Sequence, residues 1–261
     1  MHGDTRNDQT KEAAERYLSA CEEYTDPYER EKLIRDWAKK STMAENVVGD
    51  FKRRATDPAG KKVLDIGFGS GSYVIAFAGS GAHVSGLEVN QELLDIAQGR
   101  VREAGVEADL HIYDGDHFPF ADNSFDCAYS ISVIEHVSDA QTVLNEIARV
   151  LKPGGVLYLA FPNRWTPRET HTGVYFVGYF PRKIAELVLR RVYGRNSIKE
   201  LNLHFLSFTS LKRLLRKTPL RVRFEYGGDS RVKRILKRIL GAVGLHHSAI
   251  LSSVMVVLQK T

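Results

Sequence analysis

Cysteine and uninterrupted apolar runs are what this chain lacks. Only Cys21 and Cys127 are present among 261 residues. Two cysteines build no disulfide framework, and Cys127 falls in a stretch that reads as a core strand, so a reducing, cytoplasmic setting is expected. Residues 1–8 are polar, without the apolar stretch of a secretory signal. The most apolar late segment, residues 240–258, is broken by His246-His247-Ser248 and by Ser252-Ser253 and makes a poor membrane span. Those adjacent histidines have no carboxylate or cysteine cluster at ligand spacing, so no structural or catalytic metal is expected. Internal repeats and low-complexity stretches are absent as well.

What is there suffices for a well-buried core, since 43% of the residues are hydrophobic. Charge is divided unevenly along the chain. Residues 1–163 hold 17 Lys/Arg against 27 Asp/Glu, and residues 164–261 hold 20 against 5, so a net −10 is followed by a net +15. A basic last third favours an anionic partner: a phosphorylated small molecule, a membrane surface or nucleic acid.

Residues 8–56 read as helices broken at Thr25-Asp26-Pro27, an N-terminal helical cap over residues 1–56. After the turn Asp57-Pro58-Ala59-Gly60 the pattern changes to alternating strand and helix. Strands are expected at 62–66, 83–89, 108–113, 125–130 and 156–161, with helices at 72–79, at 140–151 and after an N-cap at Asn90. Lys152-Pro153-Gly154-Gly155 stops the helix at 140–151. Residues 162–208 break the rhythm and are rich in aromatics. A helix at 210–217, a sixth strand at 220–226 and a seventh at 254–258 close the pattern. Repeated strand–helix–strand units argue for a parallel sheet covered by helices on both faces.

The most informative stretch is Val63-Leu64-Asp65-Ile66-Gly67-Phe68-Gly69-Ser70-Gly71. Alternate glycines let the backbone turn sharply and approach a ligand without Cβ interference. A Gly-x-Gly-x-x-Gly loop would need its third glycine at Ser72 or Val74, and a P-loop would need a closing Gly-Lys-Ser/Thr; neither stands here. Glu88, 23 residues beyond Asp65 at a strand end, can accept hydrogen bonds from both hydroxyls of a ribose. Asp114 ends the third strand and can accept from an adenine amino group while the Gly115 N–H donates to a ring nitrogen.

These residues resemble the class I S-adenosylmethionine-dependent methyltransferases, in particular their small-molecule branch. Asp65-x-Gly67-x-Gly69-x-Gly71 matches the first motif, Glu88 the ribose-binding acid, and Asp114 with Gly115 the adenine clamp. Pro119-Phe120-x-Asp122-Asn123-Ser124-Phe125-Asp126 matches the approach to the fourth strand, and Leu151-Lys152-Pro153-Gly154-Gly155 the turn before the fifth. The resemblance implies a Rossmann-like α/β fold: a mostly parallel seven-stranded sheet in order 3-2-1-4-5-7-6, its last strand antiparallel. It implies one methyltransferase domain over residues 57–261, with a lid inserted at 162–208 and a basic amphipathic insertion at 227–250. It also implies S-adenosyl-L-methionine held by Asp65, Gly67, Phe68, Gly69, Gly71, Glu88, Val89, Asp114, Gly115 and Ile131.

On the acceptor side, His136 is the candidate base, and Arg164, Arg168, His171, Tyr175, Tyr179 and His204 are candidates to line the acceptor. Arg164 and Arg168 either bind a carboxylate or phosphate or are two solvated arginines. In residues 231–243, Val232, Ile235, Leu236, Ile239, Leu240 and Val243 share a helical face flanked by five basic side chains. Such a helix lies in an anionic lipid interface or packs on the protein's own core. The expected activity is methyl transfer to O or N of a small acceptor, amphiphilic or anionic, by a cytoplasmic protein peripheral to a membrane. The alternatives are an RNA methyltransferase and a catalytically silent cofactor-binding scaffold. Against RNA, no Asn/Asp-Pro-Pro-Tyr-like motif follows the fourth strand, where Ser130-Ile131-Ser132-Val133 stands instead. Nucleic acid is therefore not the expected partner.

Overall fold

The computed structural model describes residues 2–20, 27–193, 202–225, 240 and 251–261. Cys21, nearly all of the 227–250 insertion with its amphipathic stretch, and His246-His247 lie outside the described residues. Seven strands form one sheet in the order β3-β2-β1-β4-β5-β7-β6. They are β1 (Lys62–Ile66), β2 (His83–Glu88), β3 (Ala108–Ile112), β4 (Phe125–Ile131), β5 (Leu151–Pro162), β6 (Leu220–Glu225) and β7 (Ser253–Lys260). β1 pairs parallel with β2, and β2 with β3, whereas β6 runs antiparallel to β7. The strand order and the antiparallel last strand are those implied by the resemblance.

The chain divides into two units, residues 1–129 with 150–156, and residues 130–149 with 157–261. In the first, α1 (His2–Ala20) and α2 (Pro27–Arg54) form the expected N-terminal helices. Proline suits the first helical position because its missing N–H would have no partner there. Lys52, Arg53 and Arg54 complement the dipole at the other end. Ala13, Ala14 and Tyr17 of α1 pack on Trp37 of α2 and on Leu93 and Ile96 of α4 (Gln91–Glu103). The α4 N-cap is the expected one: Asn90 accepts from the Leu93 N–H at 3.0 Å. Beneath β1, Phe77 of α3 (Ser72–Gly79) meets Phe51 edge-on and stacks on Tyr129 at 4.3 Å.

Most boundaries agree with expectation to within one or two residues, and the larger differences have local causes. β5 begins at Leu151, directly after α5 (Ala140–Val150), rather than at Val156. The turn is still present within its first residues. Gly154 has φ +78°, and a Cβ on Gly155 would lie 2.8 Å from the Lys152 carbonyl oxygen. Lys152 Nζ secures the turn by pairing with Asp126 at 2.6 Å. The helix expected at 210–217 is α7 (Phe208–Leu215), because Ser207 and Ser210 cap it reciprocally and fix its start two residues earlier. Residues 162–208 contain a helix that the aromatic-rich reading passed over, α6 (Arg182–Tyr193). Its Ala185 and Leu189, four apart, are fully buried against Val174, Val177 and Leu203, giving the second unit a small core of its own.

Candidate active site

The loop after β1 turns through three glycines with positive φ, of which two carry the argument. Gly69 (φ +53°) faces open space where its Cβ would stand, so a ligand can approach the backbone there. Gly71 (φ +76°) is glycine for a second reason: a Cβ would lie 3.0 Å from that of Ala97 on α4. Glu88, 7% exposed at the end of β2, accepts from the Gly69 N–H at 2.9 Å through Oε2. Its Oε1 accepts from the N–H groups of Val89 and Asn90 at 2.9 and 3.3 Å. Glycine loop and acid are thus one rigid piece.

Two buried side chains brace that piece. Asp65, 2% exposed, accepts from the Tyr129 hydroxyl at 2.6 Å. Burial pushes the Asp65 carboxyl up to about 8, against the lowering pull of the Tyr129 bond and with a further push from Glu88. Arg100 of α4 reaches behind the loop, donating to the Ser70 carbonyl at 2.5 Å, to Ser72 Oγ at 3.1 Å and to Thr10 Oγ1 at 2.9 Å. Burial lowers its guanidinium to about 10. Sequence reasoning missed Arg100, which sits in an ordinary amphipathic helix pattern.

The remaining candidates of the first unit divide. The Phe68 side chain is buried over Gly86 of β2, where a Cβ on that glycine would lie 2.7 Å from its ring, so Phe68 offers a ligand only its backbone. Val89 is 58% exposed and lies beside Gly115 (φ +94°). Asp114 is exposed, and its Oδ1 accepts from the N–H groups of Asp116 and His117 at 2.9 and 2.7 Å. Those bonds hold its carboxyl below the usual carboxylate range. A cavity of about 580 Å³ lies elsewhere in this unit, lined by Ser41, Val48, Ile75, Arg100 and Val106 of the helical layer and its margin.

In the second unit Ile131 ends β4, and Ser132, with φ +59°, turns the chain into the segment carrying Glu135 and His136. Arg164 is a clamp within residues 162–208: Nε and Nη2 donate to the Gly178 carbonyl at 3.0 and 2.9 Å, and the guanidinium lies over Trp165. Gly178 must be glycine, since a Cβ would lie 2.2 Å from the Arg164 carbonyl oxygen. Arg168 donates to the Gly173 carbonyl at 3.2 Å and pairs with Tyr175 across a short bridge. The Tyr179 hydroxyl donates to the Trp165 carbonyl at 2.6 Å. This segment, expected as a lid, therefore uses both arginines on its own carbonyls, while Tyr175, Phe176, Tyr179 and Phe180 stay 41–59% exposed.

Between the segment after β4 and residues 162–208, His136 Nε2 and His171 Nε2 stand 3.0 Å apart. His171 Nδ1 is 3.0 Å from Glu169 Oε1, and its Nε2 is 3.7 Å from Glu135 Oε1. Glu169 Oε2 accepts from the N–H groups of His171 and Thr172 at 2.9 and 2.6 Å and from Thr172 Oγ1 at 2.8 Å. Burial would raise Glu169, but the His171 ring and the backbone N–H groups outweigh it and hold the carboxyl at about 2. His204 joins this region through its backbone, whose N–H donates to the Glu135 carbonyl at 2.7 Å, and burial beside Arg182 lowers its imidazole. Neither Glu135 nor Glu169 stood out in the sequence, because acids near histidines signal nothing until the fold brings the pairs together.

Residues 64–159 match the family model described as a methyltransferase domain. The chain is 39% identical over 119 residues to the methyltransferase GfsG of Streptomyces halstedii, covering 44% of this chain and 43% of that one. It is 33% identical over 172 residues to the demethylmenaquinone methyltransferase of Lactobacillus johnsonii, covering 63% of this chain and 70% of that one. The matched part spans about half the length of the first curated relatives. Among solved structures, the [4+2]-cyclase SpnF shares the fold with a TM-score of 0.57 and 19% identity over 83% of this chain and 80% of that one.

Proposed function

The chain belongs to the class I S-adenosylmethionine-dependent methyltransferase family, and from that premise we propose that it methylates an O or N atom of a small acceptor that is amphiphilic or anionic. The observation that carries the cofactor half is the bond between the Gly69 N–H and Glu88 at 2.9 Å. It presets an open glycine backbone beside a buried carboxylate, the donor set that a nucleoside ribose and its attached chain require. Gly67, Gly69 and Gly71 with Glu88 would hold the cofactor's sugar and tail, and Val89, Gly115 and Asp114 its base. When bound, S-adenosylmethionine supplies an activated methyl on its sulfonium. The protein's share is then positioning and exclusion of water, and a base is needed only where the acceptor must lose a proton. His136 is the residue proposed for that proton.

The acceptor half rests on the lid. With Arg164 and Arg168 bound to lid carbonyls, the exposed Tyr175, Phe176, Tyr179 and Phe180 favour an acceptor with an apolar body. The relative named for demethylmenaquinone agrees with an amphiphilic acceptor. No helix among the described residues is long and apolar enough to cross a membrane.

Incubation with methyl-labelled S-adenosylmethionine and cell extract tests this directly. Label in the organic or soluble polar fraction is the expected result. Label confined to acid-precipitable material would replace it with the RNA reading, and cofactor binding without any labelled product would favour a silent scaffold. The cyclase SpnF is a reminder that this fold by itself does not dictate methyl transfer.

A further inference from the structure

We propose that Glu135, His136 and His171 bind a divalent transition-metal cation, with Glu169 holding His171 in the tautomer that binding needs. The inference rests on four features of the second unit and does not depend on methyl transfer. First, the ligand atoms converge: one atom from each of the three side chains lies within 4.8 Å of the other two. A tetrahedral zinc-type site, with bonds of about 2.0–2.2 Å to nitrogen or oxygen, sets its ligand atoms roughly 3.3 Å apart. The 3.0 Å between the two Nε2 atoms and the 3.7 Å from His171 Nε2 to Glu135 Oε1 lie either side of that spacing.

Second, two imidazole nitrogens at 3.0 Å face each other with a proton or a cation between them, since two bare lone pairs repel. Third, the outer shell is the one metal-bound histidines use. Glu169 takes the Nδ1 proton of His171 as a hydrogen bond at 3.0 Å, leaving the Nε2 lone pair directed at His136 and Glu135. Fourth, both sides of the site are fastened. The Glu135 carbonyl accepts from the His204 N–H at 2.7 Å, the His136 carbonyl from Asn202 Nδ2 at 2.5 Å, and Glu169 is fixed by its Thr172 and His171 bonds.

Two imidazoles and one carboxylate suit Zn²⁺, Co²⁺ or Ni²⁺ better than Mg²⁺, which prefers an all-oxygen octahedron. Glu135 is 1% exposed while both histidines are half-buried, so the cation would be reached from the histidine side. Three protein ligands leave a further position for water or an acceptor oxygen. A bound cation would occupy His136 Nε2, so the base role proposed above belongs to the cation-free protein.

Co²⁺ titration of the metal-free full-length protein, read by its visible d–d absorption, tests the site without any activity assay. One equivalent should develop the bands of a nitrogen-bound, low-coordinate site. His136→Ala and His171→Ala should abolish them, and Glu169→Gln should weaken binding by about 10–100-fold. The double variant His246→Ala/His247→Ala should keep them unchanged. No bands in the wild type, bands that survive His171→Ala, or bands lost with His246 and His247 would each overturn the proposal. If His171→Ala fails to fold, long-range ¹H–¹⁵N spectra of the wild type decide: Zn²⁺ should shift two imidazole Nε2 resonances, and unchanged resonances would refute the site.

Discussion

The two units build their sites from different materials. In the first, the groups proposed to hold the cofactor are the backbone of one short loop and the carboxylate of the next strand, joined at 2.9 Å between Gly69 and Glu88. In the second, the proposed cation ligands are side chains of residues 135, 136 and 171, with 169 holding 171, drawn from two segments some 35 residues apart. The first arrangement is written in local spacing, since glycines must stand where φ is positive and the acid must end a strand. The second has no local rule. A site of backbone groups keeps its shape for any cofactor of the right outline, whereas a site of distant side chains can be remade by changing one loop.

The largest expected effect probes how rigidly the first unit is braced. Asp65 has its carboxyl pushed up to about 8 by burial, above its value of 3.8 in an unfolded chain. A raised acid keeps its proton on folding, so its stabilising protonated form is fully present below the unfolded value and is lost as pH rises toward 8. Stability should fall with pH across that window, with a slope of up to about 1.4 kcal/mol per unit. Asp65→Asn should flatten the decline in urea melts at pH 5, 7 and 9. An unchanged slope would locate the pH dependence elsewhere.

Next in size is Gly71→Val, which places a β-branched side chain at φ +76° and drives its Cβ to 3.0 Å from Ala97. The cost should be about 3 kcal/mol, lowering Tm by roughly 6–10 °C. Glu88→Ala should act on binding instead. Loss of the acid removes about 2 kcal/mol of charged hydrogen bonding, roughly a 30-fold rise in Kd for S-adenosylmethionine by calorimetry, with the second unit's hydrogen exchange unchanged. A matching loss of protection in the lid would break the contrast between the units.

The smallest effect is expected from Arg164→Lys. An ammonium cannot reproduce the guanidinium's paired bonds to the Gly178 carbonyl, so about 1 kcal/mol of local lid stability should go. Limited proteolysis should then cut within residues 164–180 faster, with the cofactor Kd unaltered. A weakened cofactor Kd instead would mean that the clamp serves more than the lid.

How much could be read in advance follows the same division. β1, α3, β2 and the Asn90 cap stood in the sequence because period, turn residues and capping chemistry act over a few positions. The α7 start was displaced because the sequence reading overlooked the Ser207–Ser210 pairing. Helix α6 was passed over because its buried positions, Ala185 and Leu189, make sense only against Val174, Val177 and Leu203. The burial of the Phe68 side chain, a contact only the resemblance implies, depends on Gly86, which leaves room for its ring.

The sequence by itself determined the proposed cofactor cradle: three glycines, an acid at the end of β2, and the strand–helix alternation that sets them at one loop. Only the tertiary structure decided the use of the polar residues beyond it. It bound Arg164 and Arg168 to lid carbonyls and set Arg100 behind the loop. It also gathered Glu135, His136 and His171 to within 4.8 Å, where spacing along the chain predicts no metal. The physical reason is distance. Backbone conformation and capping are fixed by neighbours along the chain, whereas hydrogen bonds and coordination depend on which side chains meet in space.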